Sequence, residues 1–392
     1  MYIIDNKLTC TGCTACMHSC PINAIIMESD KEGFLYPKIN YEICISCKKC
    51  EMICSQKNTK IKNTQPEKVY AVRHKDENIR LNSSSGAAFT ALSDYILSIG
   101  GVIYGVMYNE SLEVVHCRAT DTKTRNLFRG SKYVQSRLDD TFYKVKHDLL
   151  NKIPVLFTGT GCQIQGLKDY LELSFSDLND LFLCEILCHS GPSPLIWNEH
   201  LNLLQSKHKS KLVNYKHKSK IAGWHKHIEQ AFFENGKYDY KSILSQNFKE
   251  LFYSNLINRP CCDKCIFTGL NKVGDITIGD FWGIEKFHPE FDDNKGVSMI
   301  LINTSQGNYL FNNSKNYLNI IESTYTEAFY MNHSKPSKAG PKRALFWASY
   351  EKYGYMYVLK KFNSNNIGGF IKRKGRHIYQ PFYEKMKKYL KK

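Results

Sequence analysis

The 392-residue sequence has no run of about 18 apolar residues, so no transmembrane helix is expected. Its opening stretch, Met1 to Lys7, lacks the basic segment and apolar segment of a secretory signal. Acidic residues are the scarcer charge, 37 Asp and Glu against 54 Lys and Arg, for a formal net charge of +17. The excess sits mainly in 207–220 and 372–392, and no recognised nucleic-acid motif accompanies it, so nucleic acid is not an expected partner. Solvated lysine faces account for such stretches; an acidic redox partner or an anionic membrane surface is the alternative. Cysteine is abundant, at fifteen residues. Many cysteines without a secretory signal point to a reducing cytoplasm and to metal ligation, not disulfides. The length suffices for two or three domains.

Eight of the cysteines form two copies of one spacing, C-x-x-C-x-x-C-x-x-x-C. The first is Cys10, Cys13, Cys16 and Cys20, followed by Pro21; the second is Cys44, Cys47, Cys50 and Cys54. This run wraps bacterial-type 4Fe–4S clusters, with three thiolates on one cube and the fourth reaching to the other. The expected sets are therefore Cys10, Cys13, Cys16 with Cys54, and Cys44, Cys47, Cys50 with Cys20. Two zinc sites are the alternative, but zinc rarely needs three cysteines at successive two-residue gaps, twice over.

The cysteine runs define an α+β ferredoxin-like domain over 1–57, with short strands expected at Ala24–Met27 and Gly33–Pro37. A polar linker follows over 58–68. From 69 to 338, strand-like runs at Val69–Val72, Gly101–Val106, Pro154–Phe157, Leu181–Leu187 and Asp275–Asp280 are separated by helical segments, the pattern of an α/β domain. The stretch 339–392 is basic and aromatic, and helix is expected there. Its lysines and arginines alternate with Phe362, Phe370, Tyr379 and Phe382, which makes it a candidate for docking at a membrane surface.

Within the α/β domain, Cys262-Asp-Lys-Cys265 is a CxxC that suits zinc, a redox dithiol or half a cluster site. Cys162 and Cys188 each end an apolar run. Loops at strand carboxyl ends converge in α/β folds, so Cys162, Cys188, Cys262 and Cys265 form a candidate four-ligand set. The alternative is that Cys162 and Cys188 are small buried residues. Spacing does not separate Cys261 from Cys262, and Cys117 and Cys184 have no evident role. Ser83-Ser84-Ser85-Gly86 before a helix is either a phosphate cradle or an ordinary N-cap. Thr158-Gly159-Thr160-Gly161 has the same ambiguity. Lys132 and Tyr133 could flank a cofactor, as could Lys218, Lys220, Trp224 and His225; a surface face explains either set. His189 is a candidate proton donor or a loop-capping residue.

The segments SSSGAAFTAL (83–92), GSKYVQS (130–136), FTGTGCQIQGL (157–167), EILCHSGPSP (185–194), GW (223–224), RPCCDKC (259–265) and DITIGDFWG (275–283), with the ferredoxin pair, resemble the coenzyme F420 hydrogenase/dehydrogenase beta-subunit family. Family members are flavoproteins with iron–sulfur clusters. The resemblance implies a third 4Fe–4S cluster on Cys162, Cys188, Cys262 and Cys265. It also implies FAD in the α/β domain, with its phosphates near Ser84, Ser85 and Gly86 and with Lys132 and Tyr133 close to it. Thr160 and Asp280 complete the candidate cofactor contacts. The family usually has Pro where this chain has Gly161, and often Arg where it has Lys218. No deazaflavin pocket is evident. Similar bacterial proteins occur in surface-polysaccharide gene clusters.

The expectation is thus a cytoplasmic iron–sulfur flavoprotein oxidoreductase. Electrons would pass from a ferredoxin or other redox protein through the ferredoxin-type clusters and a third cluster to FAD and an organic substrate, in surface polysaccharide biosynthesis on the resemblance. The alternative is a non-catalytic electron-transfer subunit of a larger oxidoreductase complex.

Overall fold

The structure is a computed structural model that describes residues 7–58 and 66–363. Most of the expected linker, and Phe370, Tyr379 and Phe382 of the basic tail, lie outside the described residues.

The cysteine-rich segment is built on two strands, β1 (Ile25–Ser29) and β2 (Leu35–Ile39), paired antiparallel with Ile25 opposite Ile39. The Asp30 carboxylate accepts hydrogen bonds from the backbone N–H groups of Glu32 and Phe34, which closes the connection and drops Phe34 into a fully buried site.

The larger body carries an eight-stranded sheet and a three-stranded one. In chain order its strands are β3 (Lys68–His74), β4 (Val102–Tyr108), β5 (Val114–Ala119), β6 (Val155–Gly159), β7 (Leu181–Ile186), β8 (Leu212–Ser219), β9 (Ile228–Phe233), β10 (Tyr238–Asp239), β11 (Ile276–Asp280), β12 (Ser298–Ile302) and β13 (Leu318–Ser323). The large sheet runs β13-β3-β12-β11-β7-β6-β4-β5. Its centre, β11-β7-β6-β4, is parallel, and both flanks are antiparallel. The sheet is therefore mixed, within the α/β pattern that the alternation of strands and helices suggested. Pairing direction depends on long-range partners such as β12 that the local pattern does not encode.

The five residues of β6, Val-Leu-Phe-Thr-Gly, are all buried, as expected of a central parallel strand covered on both faces. One face packs on the helices Ala88–Ser98 and Ser305–Ser314 through Leu92, Ile96 and Leu310. The other packs on Thr141–Leu150 and Gly161–Glu172, and Ala15 and Ile53 of the cysteine-rich segment join that layer. The small sheet β10-β9-β8 has its own core around Trp197, Tyr215 and Phe248. The helices Arg343–Tyr353 and Tyr355–Phe362 add Phe346 and Val358 to it. Among the described residues no helix is long and apolar enough to cross a membrane.

Candidate redox centre

The third cysteine of each repeated run lies in a one-turn helix, Ala15–His18 in the first and Lys49–Met52 in the second. Each is preceded by a left-handed residue, Thr14 (φ 64°) and Lys48 (φ 61°), so the two halves share one local geometry. Cys20 joins Cys44, Cys47 and Cys50 around a small cavity closed by Ile22 and Ile39. Cys54 instead adds to the electrostatic surroundings of Cys13 and Cys16, together with Cys10. The fourth cysteines are thus exchanged between the runs. Burial pushes the Cys13 thiol up to about 12, and the neighbouring Cys10, Cys162 and Cys54 add to the rise. Cys10, Cys16 and Cys54 are buried, whereas Cys47 is exposed. The Cys44 set therefore faces solvent, and the Cys10 set faces the larger body.

A second group of thiols meets where β6 and β7 end. Cys162 lies in the first turn of the helix Gly161–Glu172, Cys188 follows β7, and Cys262 and Cys265 lie at the turn Pro260–Lys264. The Cys188 thiol is driven up by burial first, then by Cys262, Cys162 and Cys265. Burial likewise raises Cys265, to about 11. Cys262 faces these partners. Cys261 is turned toward Arg259 and Tyr36, and its hydrogen bond holds the Cys262 thiol down at about 7. The thiols that act on Cys188 are Cys262, Cys162 and Cys265, and Cys261 is not among them, although Cys162 also acts on Cys261. Thr160 does not reach the serine loop. It forms a reciprocal cap with Gln163, and its hydroxyl lies 3.2 Å from Cys162 Sγ. That cap orders the turn at Gly161 without a proline.

Cys184 is a fully buried member of the core on β7, and Cys117 packs against the same core from β5. His189 bonds His333 (2.9 Å) and Asn255 (3.0 Å), and its carbonyl accepts from Ser337 (2.8 Å). It ties loops together, as the capping alternative anticipated.

The serine loop does not cap the following helix. The N-cap of Ala88–Ser98 is Ala87, in the left-handed region at φ 68°, with no side-chain bond to the first turn. Ser83 bonds Ile79 O, Ser85 bonds Val297 O at 2.6 Å, and Ser84 Oγ accepts from Ser131 N at 2.7 Å. Gly86 is pressed between β3 and β12: a Cβ there would stand 2.2 Å from Val72 O. Its role is close packing that holds the loop in place.

One lysine reaches this loop, and a second follows Ser131, which bonds Ser84. Lys132 Nζ donates only to carbonyls, Leu127 O (2.9 Å) and Arg129 O (3.0 Å). Lys220 Nζ donates to Arg80 O (2.6 Å) and Ser85 O (2.7 Å). Neither has a carboxylate within ion-pair distance among the described residues. Burial lowers each to about 7. Lys218 belongs to the same face but is paired: its Nζ lies 2.5 Å from Asp280 Oδ1 and 4.0 Å from the Trp282 ring centre. Trp224 donates to the same oxygen at 2.8 Å and stacks on Trp282. Lys218 and Lys220 are therefore not the solvated lysines the sequence suggested; the lysine at 218 ends in the interior. Tyr133 stacks on Phe252, which in turn meets His189 beside Cys188. Ser84, Ser85, Lys132, Tyr133 and Asp280 thus share one neighbourhood, and it adjoins the second thiol group.

Residues 154–327 match the family described as the C terminus of the coenzyme F420 hydrogenase/dehydrogenase beta subunit. Residues 9–68 match the 4Fe–4S dicluster domain. The family resemblance holds. The chain is an iron–sulfur protein related to the F420 hydrogenase/dehydrogenase beta subunit, and its dicluster domain supports two 4Fe–4S clusters. No curated protein gave a match. Among solved structures, a chain of the F420-reducing NiFe hydrogenase complex from Methanosarcina barkeri aligns at 16% identity with a TM-score of 0.43, covering 74% of this chain and 89% of that one.

Sequence reasoning did not single out Arg259 and Gln135. Arg259 is 2% exposed and donates to Cys10 O (2.8 Å), Leu35 O (2.7 Å) and Gln135 Oε1 (2.9 Å). Gln135 Nε2 donates to Thr11 O at 2.8 Å. The available signal was an arginine two residues before a cysteine cluster in RPCCDKC.

Proposed function

We propose that this relative of the F420 hydrogenase/dehydrogenase beta subunit is an iron–sulfur flavoprotein oxidoreductase, with a third 4Fe–4S cluster on Cys162, Cys188, Cys262 and Cys265. The observation that carries this reading is the meeting of four thiols, with Lys132 and Lys220, two half-buried lysines that have no carboxylate partner among the described residues, in the adjoining neighbourhood. Four sulfur donors without a carboxylate or histidine among them suit an iron–sulfur cluster. Two cations without carboxylate partners near an uncapped helix start suit a bound diphosphate, so the residues fit FAD. When bound, FAD supplies the exchange between one-electron and two-electron steps.

The chain's own residues do the rest. Lys132, Lys220 and the serine loop bind the anionic end. Tyr133 is held by the Phe252 stack close to that end. Lys218 and Asp280 neutralise one another beneath the Trp224–Trp282 pair, which excludes water from that side. A redox protein is the proposed partner. Its contact lies at the exposed Cys47 side, where Ile43, Ile45 and Met52 also face solvent. The organic substrate, on the resemblance, belongs to surface-polysaccharide chemistry.

The test is anaerobic mixing of the flavin-loaded protein with a reduced ferredoxin. Wild type is expected to show bleaching of the dicluster and then of the flavin. C162S is expected to keep the first event and lose the second. Flavin reduction at an unchanged rate in C162S contradicts the relay.

A further inference from the structure

Arg259 is a buried cation without an acidic partner. No carboxylate lies within ion-pair distance among the described residues, and the ionisable groups around it are the thiols of Cys10, Cys261 and Cys262 and the Tyr36 phenol. Its guanidinium lies 4.3 Å from the Tyr36 ring centre and 5.4 Å from that of Phe34. Nη2 points at Cys10 Sγ from 3.7 Å. The backbone is shaped around it: Gly12, at φ +70°, would place a Cβ 2.8 Å from Nη1. An isolated buried charge costs too much to persist, so a native one is compensated. Protonated thiols cannot do this. A 4Fe–4S cluster on four thiolates carries about −2 and can.

We propose that Arg259 is the countercharge of the 4Fe–4S cluster held by Cys10, Cys13, Cys16 and Cys54, and that it raises that cluster's reduction potential. A fixed positive charge and an N–H directed at a ligand sulfur both favour the reduced form, which is one unit more negative. The guanidinium comes from the larger body, so the cluster nearest that body is tuned by the surface it docks on. The proposal rests on the dicluster reading and on the assignment of Cys10 to the inner cluster. It makes Arg259 a positioning and electrostatic residue, not a catalytic one.

The experiment is a redox titration followed by electron paramagnetic resonance on the full chain as wild type, R259Q and R259K. The outer cluster is identified as the signal lost in C47S, and the third cluster as the signal lost in C262S. In R259Q the inner midpoint is expected to shift to more negative potential while the outer one stays, and R259K is expected to recover most of the shift. Unchanged midpoints in R259Q with full iron, or equal shifts of both clusters, overturn the proposal. If R259Q loses the inner cluster, R259K decides. Retention there supports a countercharge, and loss there overturns it in favour of shape alone. A wild-type protein without two dicluster signals contradicts the dicluster reading itself, a separate failure.

Discussion

Cys13 rests on Gly166: a Cβ on this glycine would stand 2.8 Å from Cys13 Cβ and 2.9 Å from its Sγ. The contact joins the inner thiol set to the helix that carries Cys162. Gly166 lies inside that helix, where Gly to Ala ordinarily stabilises by about 1 kcal/mol. Here the methyl group meets a cluster ligand. G166A is expected to lower the melting temperature and to lose about four irons per chain, one cluster's worth. Iron and sulfide analysis beside a thermal melt checks this. A G166A protein with full iron and higher stability contradicts the contact.

The unpaired lysines predict a binding phenotype. A hydrogen bond to a charged group contributes about 1.5–3 kcal/mol. K132M and K220M are each expected to weaken FAD binding by about tenfold or more, with iron content unchanged. Fluorescence titration of flavin-free protein measures this. Equal affinity in both variants places the flavin elsewhere.

Beneath Tyr133, Glu229 is fully buried among His200, His217, Tyr215 and Lys249. Its carboxylate accepts from Lys249 N at 2.9 Å and lies 3.1 Å from His217 Nδ1. Burial raises its pKa from 4.5 to about 7. The unfolded chain therefore loses this proton first. Stability from the protonated form is present below pH 4.5 and is lost as pH rises through about 7. Relative to E229Q, wild type is expected to lose about 3 kcal/mol across that window. Urea unfolding at pH 5 and pH 8 tests the sign. A pH-independent difference between the two proteins contradicts it.

Much of this was legible in residue order. The cysteine runs imply the exchange of Cys20 and Cys54, because thiol spacing is itself the geometric constraint. Apolar runs located β3, β4, β6, β7 and β11, since buried strands must be continuous and hydrophobic. The Cys162–Cys188 meeting followed from loops at adjacent parallel strand ends. Other features depended on long-range packing. The antiparallel β12 and β13, the small sheet β8–β10 and the buried Lys218 could not be read locally. Lys218 looked like one more lysine in a basic stretch, and only Asp280, sixty-two residues away, explains its burial. Arg259 was equally opaque, since its partners are backbone carbonyls on another module.

The adjacent thiols Cys261 and Cys262 separate cleanly by mutation. C262S is expected to lose about four irons and C261S none, because Cys262 and not Cys261 acts on Cys188 together with Cys162 and Cys265. C261S is also expected to raise the Cys262 thiol pKa in cluster-free protein, since the bond that lowers it is gone. Alkylation rates against pH read that shift. Iron loss in C261S but not in C262S reverses the assignment.

Two clusters in the dicluster domain, a third cluster and one flavin in a single chain are tested most directly by iron, sulfide and flavin quantitation on one anaerobically purified sample. About twelve irons, about twelve sulfides and about one FAD per chain are expected. About eight irons with no flavin, after reconstitution with both, contradicts this and leaves a two-cluster electron carrier on an α/β body.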